Sequence, residues 1–290
     1  MRYRTLLLML LGLAVAAGPA LADPINWGTN ITIPDNMADA TFGGGATGQA
    51  GEDQETERNT TSSQEWDLEG MFLKPNNEFT MVGGWNFKSS LDGFSSGDIF
   101  IAIGNEPVYG NPGINAQYMS DFGYTFVLDM DWANNKYDVY ANLFDDDMNP
   151  LGPEVSVAAF AQNYGSNPVK RTGGGVLIAQ NQDFTDGGPW TDAQAGFLGG
   201  IHYNVSLDLN WLFAPYMVDD GQGNMIPGEV PEMWFHFTQT CGNDNLMGKF
   251  DNQIQRVPDT VIPEPTSMSL LGLGITGIVA LKYRKKLIKS

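Results

Sequence analysis

Residues 201–212 read IHYNVSLDLNWL, and this stretch decides the fold. Tyr203, Val205, Leu207, Leu209 and Trp211 alternate with polar residues, the period of a strand with one buried face. Moving outward, the same texture runs from Glu65 to about Phe250. WDLEGMFL, EFTMVGGWNF, GDIFIAIG, YTFVLDM, KYDVYANLF, VSVAAFA, GVLIA and EMWFHFTQT are short apolar runs between turn residues. Asp131 to Asn135 separate two of them, a loop suited to a hairpin. About nine strands, with 35 Gly and 16 Pro in the chain, predict an all-β fold, an antiparallel β-sandwich of jelly-roll type. A parallel α/β fold is excluded, because no segment between the strands has the length and pattern of a crossover helix. No fixed period repeats, which excludes propellers and solenoids.

The two ends differ from this middle. Residues 1–22, MRYRTLLLMLLGLAVAAGPALA, combine Arg2 and Arg4, an apolar run from Leu6 to Ala17, and Ala20-Leu21-Ala22. That is the three-part pattern of a signal peptide cut between Ala22 and Asp23 by signal peptidase. At the other end, Thr266 to Leu281 carry no charge and would span roughly 24 Å as a transmembrane helix. Lys282, Arg284, Lys285, Lys286 and Lys289 follow, a basic tail that stays cytoplasmic by the positive-inside rule.

Pro263-Glu264-Pro265 stand directly before the apolar run. This tripeptide, a Leu/Gly-rich helix and a basic tail, in that order, resemble the PEP-CTERM sorting signal of Gram-negative bacteria. The resemblance implies a substrate of the membrane enzyme exosortase, anchored in the membrane before processing and then passed to the cell surface or an exopolysaccharide matrix. EDQETE, EWDLEGMFL, MVGGWNF, GDIFIAI, MDWANNKYDVY and HFTQTCGND, over about residues 25–250, resemble the exported domain of a set of PEP-CTERM surface proteins. That likeness implies a β-sandwich and brings no settled activity. The domain plan is a signal peptide over 1–22, a polar N-terminal arm over 23–64, the exported domain over 65–256 and the sorting signal over 257–290.

Charge and composition narrow the functions. Between the two end segments stand eight basic residues and all 34 acids, a net charge near −26. A nucleic-acid binder would need a basic face instead. One Cys excludes an internal disulfide framework and a thiolate zinc site, and two His leave little for a metal cluster or proton relay. No nucleophile elbow, P-loop, HExxH or dinucleotide fingerprint occurs.

Three candidate chemistries remain. Glu65, Asp67 and Glu69 are spaced by two and share a face if the segment is a strand, as a glycosidase carboxylate pair would. The same spacing describes an ordinary strand with a polar outer face, so the expectation is no enzyme. Calcium is the metal that hard oxygen ligands would take outside the cell. FDDDMNPLG (144–152) starts like an EF-hand loop, but Pro150 stands where Gly is needed and Ser156 where Glu is needed. Residues 219–224, DDGQGN, form another oxygen-rich loop. Glu52, Asp53, Glu55, Glu57, Asp98 and Asp244 are the calcium candidates that a sandwich could assemble from distant segments. Trp132 and Trp190 read as the loop tryptophans, hence the candidates for stacking on sugar rings. His202 and His236 read as hydrogen-bonded strand residues, and Cys241 as a buried free thiol.

The expected function is an exported, structural or adhesive surface protein in contact with exopolysaccharide. The alternatives are a calcium-stabilised carbohydrate-binding module and a secreted jelly-roll enzyme that degrades polysaccharide.

Overall fold

The structure is a computed structural model that describes residues 23–33, 38–41, 53–57, 60–108, 117–143, 151–160, 166–219, 225–227 and 229–251. The expected signal peptide, Glu52, residues 144–150 and 220–224, and the sorting signal lie outside these residues. Among the described residues no helix is long and apolar enough to cross a membrane.

The fold is all-β. Ten strands form one antiparallel sheet. From one edge these are β1 (Thr29–Asn30), β4 (Leu68–Leu73), β5 (Glu78–Gly83), β12 (Ile201–Asp208), β11 (Val176–Thr191), β8 (Lys136–Ala141), β7 (Phe126–Asp131), β6 (Ile99–Ile103), β15 (Met233–Thr238) and β16 (Asn245–Phe250). Three small ladders complete the set: β2 (Ala38–Thr41) with β3 (Glu55–Glu57), β9 (Ser156–Ala158) with β10 (Lys170–Gly173), and β13 (Met217–Asp219) with β14 (Met225–Pro227).

The sandwich arises because this one sheet curls on itself. Phe79 on β5 stacks on Phe235 on β15 with ring centroids 4.8 Å apart, although five strands separate them in the sheet. The curl brings the two edges together: Ile33 N–H donates to Met247 O (2.8 Å) and Lys249 N–H to Ile31 O (2.7 Å). The main core fills the space between the halves, with Leu68, Met71, Phe79, Met81, Ile101, Leu128, Val139, Val205, Leu207, Phe237 and Leu246 fully or almost fully buried.

Two smaller clusters cover the outside of the same sheet. Phe100, Val127 and Trp234 are roofed by Met119, Phe122, Tyr124, Val155 and Val157. Phe72 and Val82 are roofed by Trp27, Ala195 and Phe197. Strands under a roof are closed on both faces, so all six residues of β4 and of β15 are buried.

Local departures from the sequence reading have physical causes. The WDLEGMFL strand begins only at Leu68; Gln64–Trp66 form a 3-10 turn, which lets Trp66 stack on Trp85 at 5.2 Å. Glu65 is therefore exposed on the turn and does not share a strand face with Asp67 and Glu69. The strand at 201 stops at Asp208, and Asn210–Phe213 make one helical turn that carries Trp211. DGGPWT is not a loop: it closes β11, sixteen residues long, with a register irregularity between Gly187 and Trp190 that absorbs the two glycines and the proline, and Asp192 opens the helical turn that follows. Polar 23–64 also contributes to the fold. Thr29 and Asn30 pair with Leu73 and Phe72, Ile31 is buried, and Asp53 to Glu57 are buried.

Candidate functional site

The strongest concentration of unusual chemistry lies at the outer face of β4 and β12. A bulge between Leu68 and Gly70 re-aims the start of β4. Asp67 caps the 3-10 turn and Glu69 follows two residues on. Asp53, from the segment leading into β3, joins them. One carboxylate oxygen from each of Asp53, Asp67 and Glu69 lies within 4.8 Å of the others. The three side chains are buried, Asp67 and Glu69 at 0% exposure.

Backbone amides anchor two of the three. Asp67 accepts from Gln54 N–H (3.1 Å) and Glu55 N–H (3.3 Å). Both oxygens of Asp53 accept from Leu198 N–H at 3.2 Å. Glu69 Oε1 accepts from Gln64 Nε2 (2.8 Å) and meets His202 Nδ1 at 2.7 Å. The other imidazole nitrogen meets Asp192 Oδ1 at 3.0 Å, and Gly200 N–H donates to that same oxygen at 2.7 Å. The loop bends tightly over Gln64: Gly199 has φ +113°, and a Cβ there would sit 1.4 Å from Gln64 Oε1.

The electrostatics follow from burial and pairing. Burial pushes Glu69 up to about 7, against the opposing hydrogen bond and charge of His202. Asp67 is raised well above the usual carboxylate range by burial, then by the charge of Glu69. Burial pulls His202 down, but its hydrogen bonds and charge contacts with Glu69 and Asp192 outweigh that and leave it raised. Burial would raise Asp192, yet its bonds from His202 and Gly200 leave it lowered. Chemically, the cluster offers hard, pre-positioned oxygens. Asp53, Asp67 and Glu69 are the residues that could hold a metal.

The other sequence candidates go elsewhere. Asp244 Oδ2 accepts from Leu68 N–H at 2.6 Å, and Glu57 accepts from the Asn245 amide. Glu55 is buried in β3 beside them. Asp98 is a separate junction: it accepts from Met130 N–H (3.0 Å) and Arg171 N–H (2.7 Å), and burial raises it to about 7. Of the calcium candidates, Asp53 thus joins Asp67 and Glu69, which the sequence presented as a carboxylate pair. His202, Asp192 and Gln64 carried no local signal, since His202 stands 133 positions from Glu69.

A second feature is a polar cleft of about 270 Å³ between the segment after β5 and the irregular last part of β11. Asn86, Lys88, Asp186, Gly187, Tyr203 and Asn204 are among its lining residues. Lys88 Nζ lies 3.3 Å from Asp186 Oδ1, to which Asn135 Nδ2 also donates at 2.7 Å. Trp190, a strand residue, donates its indole N–H to Asn204 Oδ1 at 2.8 Å and so steadies one wall. Trp132 does sit in the hairpin after β7, but it is half-buried against Phe87, Phe184 and Phe237, and its N–H donates to Gly97 O at 3.0 Å. His202 and His236 are buried, hydrogen-bonded strand residues, and Cys241 is a half-buried free thiol.

A family model, the PEP-CTERM protein-sorting motif, matches residues 261–285, which include Pro263, Glu264 and Pro265. No curated protein and no solved structure matches the chain. The motif marks the chain as an exosortase-sorted protein exported to the cell surface of a Gram-negative bacterium.

Proposed function

We propose that the exported domain is a non-enzymatic surface module that associates with extracellular polysaccharide through the cleft beside Lys88 and Asn204. The observation that carries this reading is the cleft itself. It combines amide, ammonium and carboxylate groups with the Tyr203 ring and the backbone of Gly187 and Gly188. Sugars are bound by such mixtures of planar donors and acceptors beside an aromatic surface. Its volume, about 270 Å³, is close to the lower end of the ~300–1,000 Å³ range for small-molecule sites, which suits a short glycan segment. With eight basic residues against 34 acids between the end segments, neutral glycans are favoured over acidic ones.

The non-enzymatic part rests on access. Asp67 and Glu69, the closely placed carboxylates, are 0% exposed, and a glycosidase pair must meet its substrate directly. Titration of the mature protein with neutral exopolysaccharide fractions tests the reading. Saturable binding without turnover is expected, weakened at least tenfold in Lys88→Ala and Asp186→Ala. No binding by the wild type, or equal binding by both variants, would remove the proposal.

A further inference from the structure

Three carboxylates are closed in at one point of the fold, and burying an uncompensated charge costs several kcal/mol per ion. Asp53 and Asp67 are held by backbone N–H groups, which favour the ionised form. Glu69 meets one group that can carry positive charge, His202, and Asp192 shares it. A second observation stands apart from the clustering. Glu69 is 0% exposed, its Oε1 is taken by Gln64 and His202, and its Oε2 is buried without a hydrogen-bond partner. A buried carboxylate oxygen left so needs a ligand or a proton.

We propose that Asp53, Asp67 and Glu69 bind one calcium ion, which clamps the segment before β3 and the loop at Leu198 onto the start of β4. The separation is compatible: two oxygens bound to one calcium at ~2.4 Å stand at most ~4.8 Å apart, and each pair of these three is within that limit. The donor set selects the ion. All three groups are hard oxygens, and both nitrogens of His202 are engaged by carboxylates, so no imidazole lone pair is offered to zinc or copper. Magnesium prefers a tighter octahedron and keeps its waters. His202 is a positioning residue: it orients Glu69 from behind, as outer partners of metal ligands do. Entry is from the rim, where Gly199, Gly200 and the Asp192 side chain (45% exposed) meet solvent.

The experiment uses the mature exported protein, freed of metal with EGTA and titrated with calcium chloride by calorimetry, with thermal melts in parallel. One saturable site per chain is expected, with a melting temperature that rises on calcium addition and falls again with EGTA. Glu69→Gln and Asp67→Asn are expected to weaken affinity by at least the ~10–100-fold that loss of a mere supporting partner costs. Asp98→Asn, in the separate junction, is expected to bind as the wild type does. Should the cluster variants not fold, terbium luminescence of the wild type, quenched by competing calcium, reads the site without them. A folded, EGTA-treated wild type that shows neither heat nor a melting shift nor terbium signal would overturn the proposal and leave the cluster held by protons. Unchanged affinity in folded Glu69→Gln and Asp67→Asn would overturn it equally.

Discussion

β4 and β11 belong to one sheet and live in opposite surroundings. All six residues of β4 are buried, whereas Phe184 alone is buried among the sixteen of β11. The core closes the inner face of β4, and Trp27, Ala195 and Phe197 close the outer one. β11 keeps long exposed stretches and slips register against both neighbours. A strand closed on both sides has no water for its polar groups: on β4, Glu69 Oε1 meets Gln64 and His202, and its Oε2 is buried without a hydrogen-bond partner. An open strand leaves its polar groups to water and to ligands, and the cleft forms there. β15, also buried throughout, repeats the condition of β4 with His236.

The comparison is broken most directly by one substitution made twice. Leu68→Ala on β4 removes a fully buried side chain and is expected to cost about 2–5 kcal/mol. Leu177→Ala on β11, where the residue is 45% exposed, is expected to stay within about 0.5 kcal/mol. Urea denaturation midpoints of the two variants measure the contrast. Equal losses would mean that β11 is covered in solution.

Acid titration sharpens it next. His236 donates to Pro168 O at 3.0 Å, with Phe100 and Tyr124 as ring neighbours, and burial lowers its pKa to about 4. The unfolded chain takes up that proton below its ordinary value of 6.5, while the folded chain refuses it until about 4. Stability present at neutral pH is therefore lost as pH falls through this window, about 3 kcal/mol in all. Asp98 acts in the opposite sense. Its folded pKa of about 7 makes its contribution full below about 3.8 and lost as pH rises through 7. Between pH 4 and 6.5 the two offset each other. Relative to the wild type, His236→Asn is expected to gain stability as pH falls across that range, and Asp98→Asn to lose it. Denaturation midpoints at several pH values read the two slopes.

The smallest expected effect is on the open side. Lys88 and Asp186 form an ion pair at 3.3 Å with side chains 33% and 40% exposed. Lys88→Ala is expected to change stability by less than about 1 kcal/mol, by the same denaturation assay, while glycan binding falls.

Strand texture was legible because period-two alternation survives wherever one face is apolar: Val205 and Leu207 point into the core as read. Alternation could not show that the other face of β4 is roofed, so Asp67 and Glu69 read as the polar outer face of an ordinary strand. The roof comes from residues far along the chain, and Leu198 reaches Asp53 across 145 positions. Asp53 itself was marked as a metal candidate, but its partners were not. The glycine-proline stretch before Trp190 signalled a turn, and the fold accommodated it as a strand irregularity instead. In each case local residue type was silent about what would come to lie on top.

The meeting of β1 and β16 has a consequence for a protein placed among many copies of itself. Bare sheet edges invite neighbours to zip on through backbone pairing, the route to aggregated fibres. Here the chain next to β1 bridges to β16 through Thr32 and Gly248, so much of the backbone at these two rims is spent internally. At the cell surface, contact between copies at these rims is then left to side chains.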